Sequence, residues 1–143
     1  MTAYIDTSAL AKWYLNETRS EEFTAWIQAE SETHISTLTV VEMRCLLARR
    51  RRNREISIEM EHQAFATLQD DIAQGFLIQH SVDDESVRGA LTLLTLLPDH
   101  PLRTLDALHL SIARRLGTER LVTADRIMIG AAQVIGLDVV LFD

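Results

Sequence analysis

Residues 3–15 read Ala-Tyr-Ile-Asp-Thr-Ser-Ala-Leu-Ala-Lys-Trp-Tyr-Leu, and the hydrophobic period changes within the stretch. Ala3–Ile5 is a short apolar run of strand type that ends at Asp6. From about Ser8 to Leu15 the apolar side chains Leu10, Trp13 and Tyr14 fall at i, i+3 and i+4, one face of a helix. The same unit recurs along the chain. His34–Ser36 predicts a buried strand, followed by a helix that Ser36 or Thr37 caps and that carries Val40, Val41, Met43, Leu46 and Leu47. Leu121–Thr123 predicts another strand, followed by a helix over Ile127–Ile135 that Gly136 closes. Further helices are expected at Glu21–Ala29, Ile58–Ala73, Val87–Leu97 and Thr104–Leu116, and further strands at Phe76–Gln79 and Val139–Phe142. Short apolar strands alternating with helices indicate a parallel sheet with helices on both faces, an α/β class. Pro98 and Pro101, the only prolines, mark a loop between two helices rather than a domain boundary. No internal repeat is visible, and one domain over 1–143 is expected.

Composition narrows the function. The 143 residues are 47% hydrophobic and 24% charged, ordinary for a globular domain, so disorder is excluded. The single cysteine, Cys45, forms no internal disulfide, and no apolar run approaches the ~18–20 residues of a membrane span. The opening MTAYIDTSAL lacks the basic n-region and cleavage site of a signal peptide. A cytoplasmic protein with no membrane association is expected. The net charge of −7 argues against nucleic-acid binding over the whole surface. The bases are uneven, however: Arg49, Arg50, Arg51, Arg52 and Arg54 form one cluster, and without those five positive charges the rest stands at −12. Such a patch can contact a phosphate backbone or simply complement a helix C-terminus.

Four acids stand out. In parallel sheets, ligands bind beyond the carboxyl ends of the strands, where Asp6 and Asp125 fall. Glu42 interrupts an apolar helix beside the face formed by Leu38, Val41 and Cys45, and Asp106 lies near the start of a helix that Thr104 is expected to cap. Each has a local reading as well. Asp6 suits a helix N-cap, Asp106 gains from a helix dipole, and Asp125 suits an Asx turn. Convergence of all four changes the energetics. Two carboxylates about 4 Å apart repel by about 4 kcal/mol at an effective dielectric near 20. Such a group takes up protons or holds a cation, and an all-oxygen donor set suits Mg²⁺ or Mn²⁺. A carboxylate-held ion beside arginines fits phosphodiester hydrolysis.

The segments Tyr4–Leu10 (YIDTSAL), Thr37–Arg44 (TLTVVEMR), Leu102–Leu110 (LRTLDALHL) and Leu121–Arg126 (LVTADR) resemble, in order and spacing, the PIN-domain ribonucleases. The likeness is to the toxin component of VapBC-type toxin–antitoxin modules and covers nearly the whole chain. It implies a three-layer α/β/α sandwich around a parallel sheet. It also implies a metal pocket of Asp6, Glu42, Asp106 and Asp125, with Thr7, Ser8 and Thr123 orienting the carboxylates. An RNA substrate, Mg²⁺ or Mn²⁺, homodimerisation and a small inhibitory antitoxin follow from the same resemblance. Some relatives carry a further acid after the fourth, where this chain has Arg126, Ile127 and Met128.

Other readings compete with this one. A PIN-like module kept only for binding is one, and a phosphatase with Asp6 as nucleophile is the other, although Ser8 stands where such enzymes need a second acid. Arg126 is a possible phosphate contact or a solvated helix-start residue. His109 shares a helix face with Asp106 and reads as a partly buried, satisfied histidine. Cys45 reads as a small buried apolar residue, and Trp13 and Tyr14 as packing residues rather than base-stacking ones. Leu91, Leu93, Leu94, Leu96 and Leu97 cover more than one helix face, which suits a central helix or a subunit interface.

Overall fold

The structure is a computed structural model describing residues 2–143. Its elements are β1 (Ala3–Ile5), α1 (Thr7–Tyr14), α2 (Ser20–Ala29), β2 (Thr33–Ser36), α3 (Thr37–Arg52) and α4 (Ile58–Ala73). There follow β3 (Ile78–His80), α5 (Asp84–Leu96), α6 (Thr104–Leu116), β4 (Arg120–Thr123), α7 (Ile127–Val134) and β5 (Asp138–Leu141). All strands are parallel, in the order β3-β2-β1-β4-β5.

Strand alternation builds two cores. Ala3 and Ile5 of β1 and Val122 of β4 face one side, where they pack with Leu10, Phe23, Met43, Leu47 and Leu68 of α1–α4. Tyr4 and Leu121, one position along, face the other side and pack with Leu93, Leu110, Met128 and Ala131 of α5–α7. The result is the expected three-layer α/β/α sandwich. The strand order reverses between β1 and β4, so the chain leaves β1 into one helical layer and β4 into the other. This is the crevice where open parallel sheets bind ligands.

Local chemistry explains where the elements depart from expectation. Strand β3 starts at Ile78 rather than Phe76 because the Phe76 and Leu77 amides donate to Asp71 O (2.9 and 3.2 Å), finishing the α4 exit through Gly75 at φ +80°. Helix α5 starts three residues early because Asp83 caps it, accepting from the Ser86 amide at 2.9 Å. The face of α3 is the main correction. Ser36 is the N-cap, and its amide donates to Thr39 Oγ1 (3.2 Å), turning Thr39 into the interior. Met43 and Leu47 follow one and two turns later and are fully buried. Val41 and Cys45 therefore point outward while Leu38 packs against the second core: Val41 is 62% exposed, and Cys45 is an exposed free thiol rather than a core residue. Among the described residues no helix is long and apolar enough to cross a membrane.

Candidate active site

Asp6 leaves β1 as the N-cap of α1, with its Oδ1 accepting from the Ala9 amide (3.1 Å) and from Ser8 Oγ (2.7 Å). Its Oδ2 accepts from Thr123 Oγ1 at 2.6 Å, across the β1–β4 boundary. A carboxylate has about four acceptor positions, so one remains, on Oδ2. Asp6 is only 3% exposed, and burial pushes its carboxyl above the usual range, against the opposing pull of His109, Thr123, Ser8 and the Ala9 amide. Ser8 Oγ also accepts from the Ala124 amide (2.9 Å) and Thr123 Oγ1 from the Asp125 amide (2.9 Å), so the two hydroxyls tie Asp6 to the turn after β4.

Glu42 projects from the second turn of α3. Its Oε1 accepts from Thr7 Oγ1 at 2.8 Å and from His109 Nε2, while Oε2 accepts no hydrogen bond among the described residues. Burial raises the Glu42 carboxyl, but the His109 hydrogen bond and charge together with Thr7 outweigh it, and the group lies below its ordinary value. The nearby charge of Asp106 works in the opposite direction. His109 is 3% exposed, and its Nδ1 lies 2.7 Å from the Tyr4 hydroxyl, which lies 2.9 Å from Ser36 Oγ. A sealed chain of polar groups thus runs from Ser36 through Tyr4 and His109 to Glu42. Burial and the charges of Asp6 and Glu42 push the Tyr4 phenol above its usual value, although its Ser36 and Thr39 contacts pull it down.

Asp106 is the third helical-turn residue of α6. The N-cap of that helix is Arg103, not Thr104: the Arg103 amide donates to Asp106 Oδ2 at 3.0 Å. The Arg103 guanidinium then closes over the acids, Nε to Asp106 Oδ2 (3.0 Å), and Nη2 to both Asp106 Oδ1 (3.3 Å) and Asp125 Oδ2 (2.7 Å). Asp125 also forms the Asx turn, its Oδ1 accepting from the Ile127 amide at 3.0 Å.

The fold therefore brings Asp6, Glu42, Asp106 and Asp125, with Thr7, Ser8 and Thr123, to one end of the sheet beside the β1–β4 crevice. It does not bring the arginine cluster there. Arg52 is ten residues beyond Glu42 on α3, about 15 Å along the axis. Arg50 pairs with Glu17 (2.5 Å) and Glu55 (3.3 Å), and Arg51 with Glu61 (2.7 Å). Arg49, Arg52 and Arg54 make no ion pair among the described residues, and Arg49 lies two turns beyond Glu42 on the same side of α3. Arg126 turns away from the acids to Asp143. Sequence reading gave no site role to Tyr4 or Arg103 and read Ser36 only as a helix cap; a hydroxyl on a buried strand and the sequence Arg-x-x-Asp at a helix start were the available signals.

The donor set fits a hard divalent cation in kind, since Glu42 Oε2 and one position of Asp6 are open and all donors are oxygen. In place, Asp106 and Asp125 already converge on one cation, a guanidinium. As they stand, no three acids, histidines or cysteines among the described residues are grouped to hold an ion.

A parallel α/β domain with four carboxylates placed around its switch point defines the class. The PIN domain family model matches residues 3–134, and the chain belongs to that family. No curated protein matches it. Among solved structures it is similar to the Mycobacterium tuberculosis VapC20 sarcin–ricin loop cleaving toxin, at 18% identity and a TM-score of 0.73, over 90% of this chain and 94% of that one. It is also similar to VapBC2 from Rickettsia felis bound to a promoter DNA fragment, at 16% identity and a TM-score of 0.70 over the full length of both. DNA-bound VapBC from Salmonella typhimurium matches at 18% identity and a TM-score of 0.65, over 100% of this chain and 99% of that one.

Proposed function

We propose that this chain is the toxin of a VapBC-type pair, a cytoplasmic endoribonuclease that uses Mg²⁺ or Mn²⁺ and is neutralised by a small antitoxin. The observation that carries this reading is the placement of Asp6, Glu42, Asp106 and Asp125, which come from two strand exits and two helices, around the switch point of a PIN fold. Those four residues would hold the ion, which when bound supplies Lewis-acid stabilisation of phosphate charge and acidifies the attacking water. Ser8 and Thr123 keep Asp6 fixed and ionisable despite its burial, and Thr7 and His109 fix Oε1 of Glu42 and leave Oε2 without a donor among the described residues. Arg49, the exposed arginine in line with Glu42, is the member of the cluster best placed for an RNA phosphate. The likeness to solved VapBC assemblies supports an antitoxin partner. Val87, Leu91 and Leu94, exposed on one side of α5 at i, i+4 and i+7, support a homodimer.

A binding module without catalysis is the second reading, favoured by Arg103 standing between Asp106 and Asp125. The phosphatase reading loses ground, since Asp6 is buried with three donors on its oxygens, and Lys12 is committed to Thr18 O at 2.6 Å. The test is cleavage of a defined RNA pool by purified protein with Mg²⁺, with Mn²⁺ and with EDTA, beside Asp6→Asn. Cuts at discrete sites, absent with EDTA and in the variant, are expected. Equal cutting by a folded Asp6→Asn protein overturns the assignment.

A further inference from the structure

We infer that Arg103 is a built-in competitor of the divalent cation, a guanidinium that occupies Asp106 and Asp125 and must leave before metal can load. The inference rests on the metal-site reading above and adds a regulatory residue to it.

Three observations carry it. First, the Arg103 side chain spends its donors on the two acids: Nε and Nη2 on Asp106, and Nη2 on Asp125 at 2.7 Å. Those acids come from different elements, α6 and the turn after β4, so the guanidinium links groups that would otherwise repel. Second, the side chain is 67% exposed while that of Asp106 is 9% exposed. The cation sits at the mouth of the site and its anion inside, so the arginine can swing out without unpacking the core. Third, the helix start does not need the side chain. The cap is made by the Arg103 backbone amide on Asp106 Oδ2, which any non-proline residue at 103 retains.

The forked guanidinium matters as well as the charge. It engages Asp106 through two nitrogens and reaches Asp125 with one of them, a geometry a lysine ammonium cannot reproduce. A divalent ion held by Asp106 and Asp125 would draw on the two carboxylates that this fork now engages, at Oδ1 and Oδ2 of Asp106 and Oδ2 of Asp125. Occupation by one excludes the other, so the arginine lowers apparent metal affinity by the fraction of time it spends docked. Once displaced it remains tethered at the mouth, a free cation beside the place where a phosphate would arrive.

The experiment is Mn²⁺ titration of the full-length protein by calorimetry, comparing wild type, Arg103→Gln and Arg103→Lys, with thermal unfolding of each in EDTA and in saturating Mn²⁺. Arg103→Gln is expected to bind Mn²⁺ about tenfold more tightly, with Arg103→Lys between it and wild type. In EDTA the Gln variant is expected to melt below wild type, because two acids lose their counter-ion. In Mn²⁺ its midpoint is expected to rise by more than that of wild type. A merely structural arginine gives lower midpoints in both conditions and unchanged affinity. Equal or weaker Mn²⁺ binding by Arg103→Gln overturns the inference while leaving the metal site standing. Failure of every protein to bind Mn²⁺ at millimolar concentration overturns both.

Discussion

Replacing Tyr4 by Phe removes one oxygen from the sealed side of the site and leaves the ring in the core. That oxygen is fully buried, 2.7 Å from His109 Nδ1 and 2.9 Å from Ser36 Oγ. His109 and Ser36 are themselves 3% and 0% exposed, so neither can turn to solvent. A buried polar group left without its partner costs about 1–3 kcal/mol. Ser36 retains a weak alternative in Thr39 Oγ1 at 3.5 Å, which puts its share at the low end. The sum is about 2–4 kcal/mol, or a fall of about 6–16 °C in melting midpoint for a domain of this size. The assay is thermal unfolding in EDTA at pH 7, with Tyr14→Phe as the control. The Tyr14 hydroxyl donates to Asp71 Oδ2 at 2.6 Å, but that oxygen keeps Trp13 Nε1 at 3.1 Å, so its loss is expected to cost only about 1 kcal/mol. Equal losses in the two variants would refute the view that the Ser36–Tyr4–His109–Glu42 chain is a sealed polar unit.

Asp6→Asn is expected to stabilise the metal-free protein at pH 7 while abolishing cleavage. Burial raises the Asp6 carboxyl in the folded state. Its contribution to stability is therefore present below the unfolded value, near 3.8, and lost as pH rises through the folded one. The gain over wild type should appear in melts at pH 7 and vanish at pH 3, and a constant gain across that range would contradict it. Gly89→Ala is expected to destabilise by about 1–3 kcal/mol through overpacking, although alanine is the better helix former. An added Cβ would lie 2.3 Å from Ser111 Oγ, which is held by Ser86 O at 2.7 Å, and chemical denaturation reads the loss. A neutral or stabilising alanine would show that the α5–α6 contact has room to give.

How much of this was legible in the sequence depended on whether the cause was local. Helices Ile58–Ala73 and Thr104–Leu116 end where expected, because Ser57, Gly75 and Gly117 act within a turn of the boundary. The outward turn of Val41 and Cys45 on α3 was not legible, since both are as apolar as Met43 and Leu47, and a single cap bond to Thr39 chooses between them. The four acids were legible as residue types in unusual places. Their local roles, an N-cap at Asp6 and an Asx turn at Asp125, proved to coexist with their placement at one end of the sheet. A capping carboxylate keeps a free acceptor position, so the two roles do not compete. The relay behind Glu42 was not legible, because Tyr4 lies 32 residues from Ser36 and 105 from His109, and only the sheet order brings them together. Arg103 stood inside the Leu102–Leu110 motif with no role of its own legible, whereas the cluster at 49–54 was conspicuous and the fold consumes part of it in ion pairs with Glu17, Glu55 and Glu61.

The most direct test of the central claim is end-group analysis of RNA cut by the purified protein, with Glu42→Gln alongside. Hydrolysis by a water activated at a carboxylate-held ion forms a phosphorus–oxygen bond to water and breaks the bond to the 3′ oxygen, leaving 5′-phosphate and 3′-hydroxyl ends. The account predicts those ends, their loss with EDTA and their loss in Glu42→Gln. Products ending in 2′,3′-cyclic phosphate, formed equally with EDTA, would contradict it, because the attacking oxygen would then be the RNA's own 2′-hydroxyl and the carboxylates would have no ion to hold.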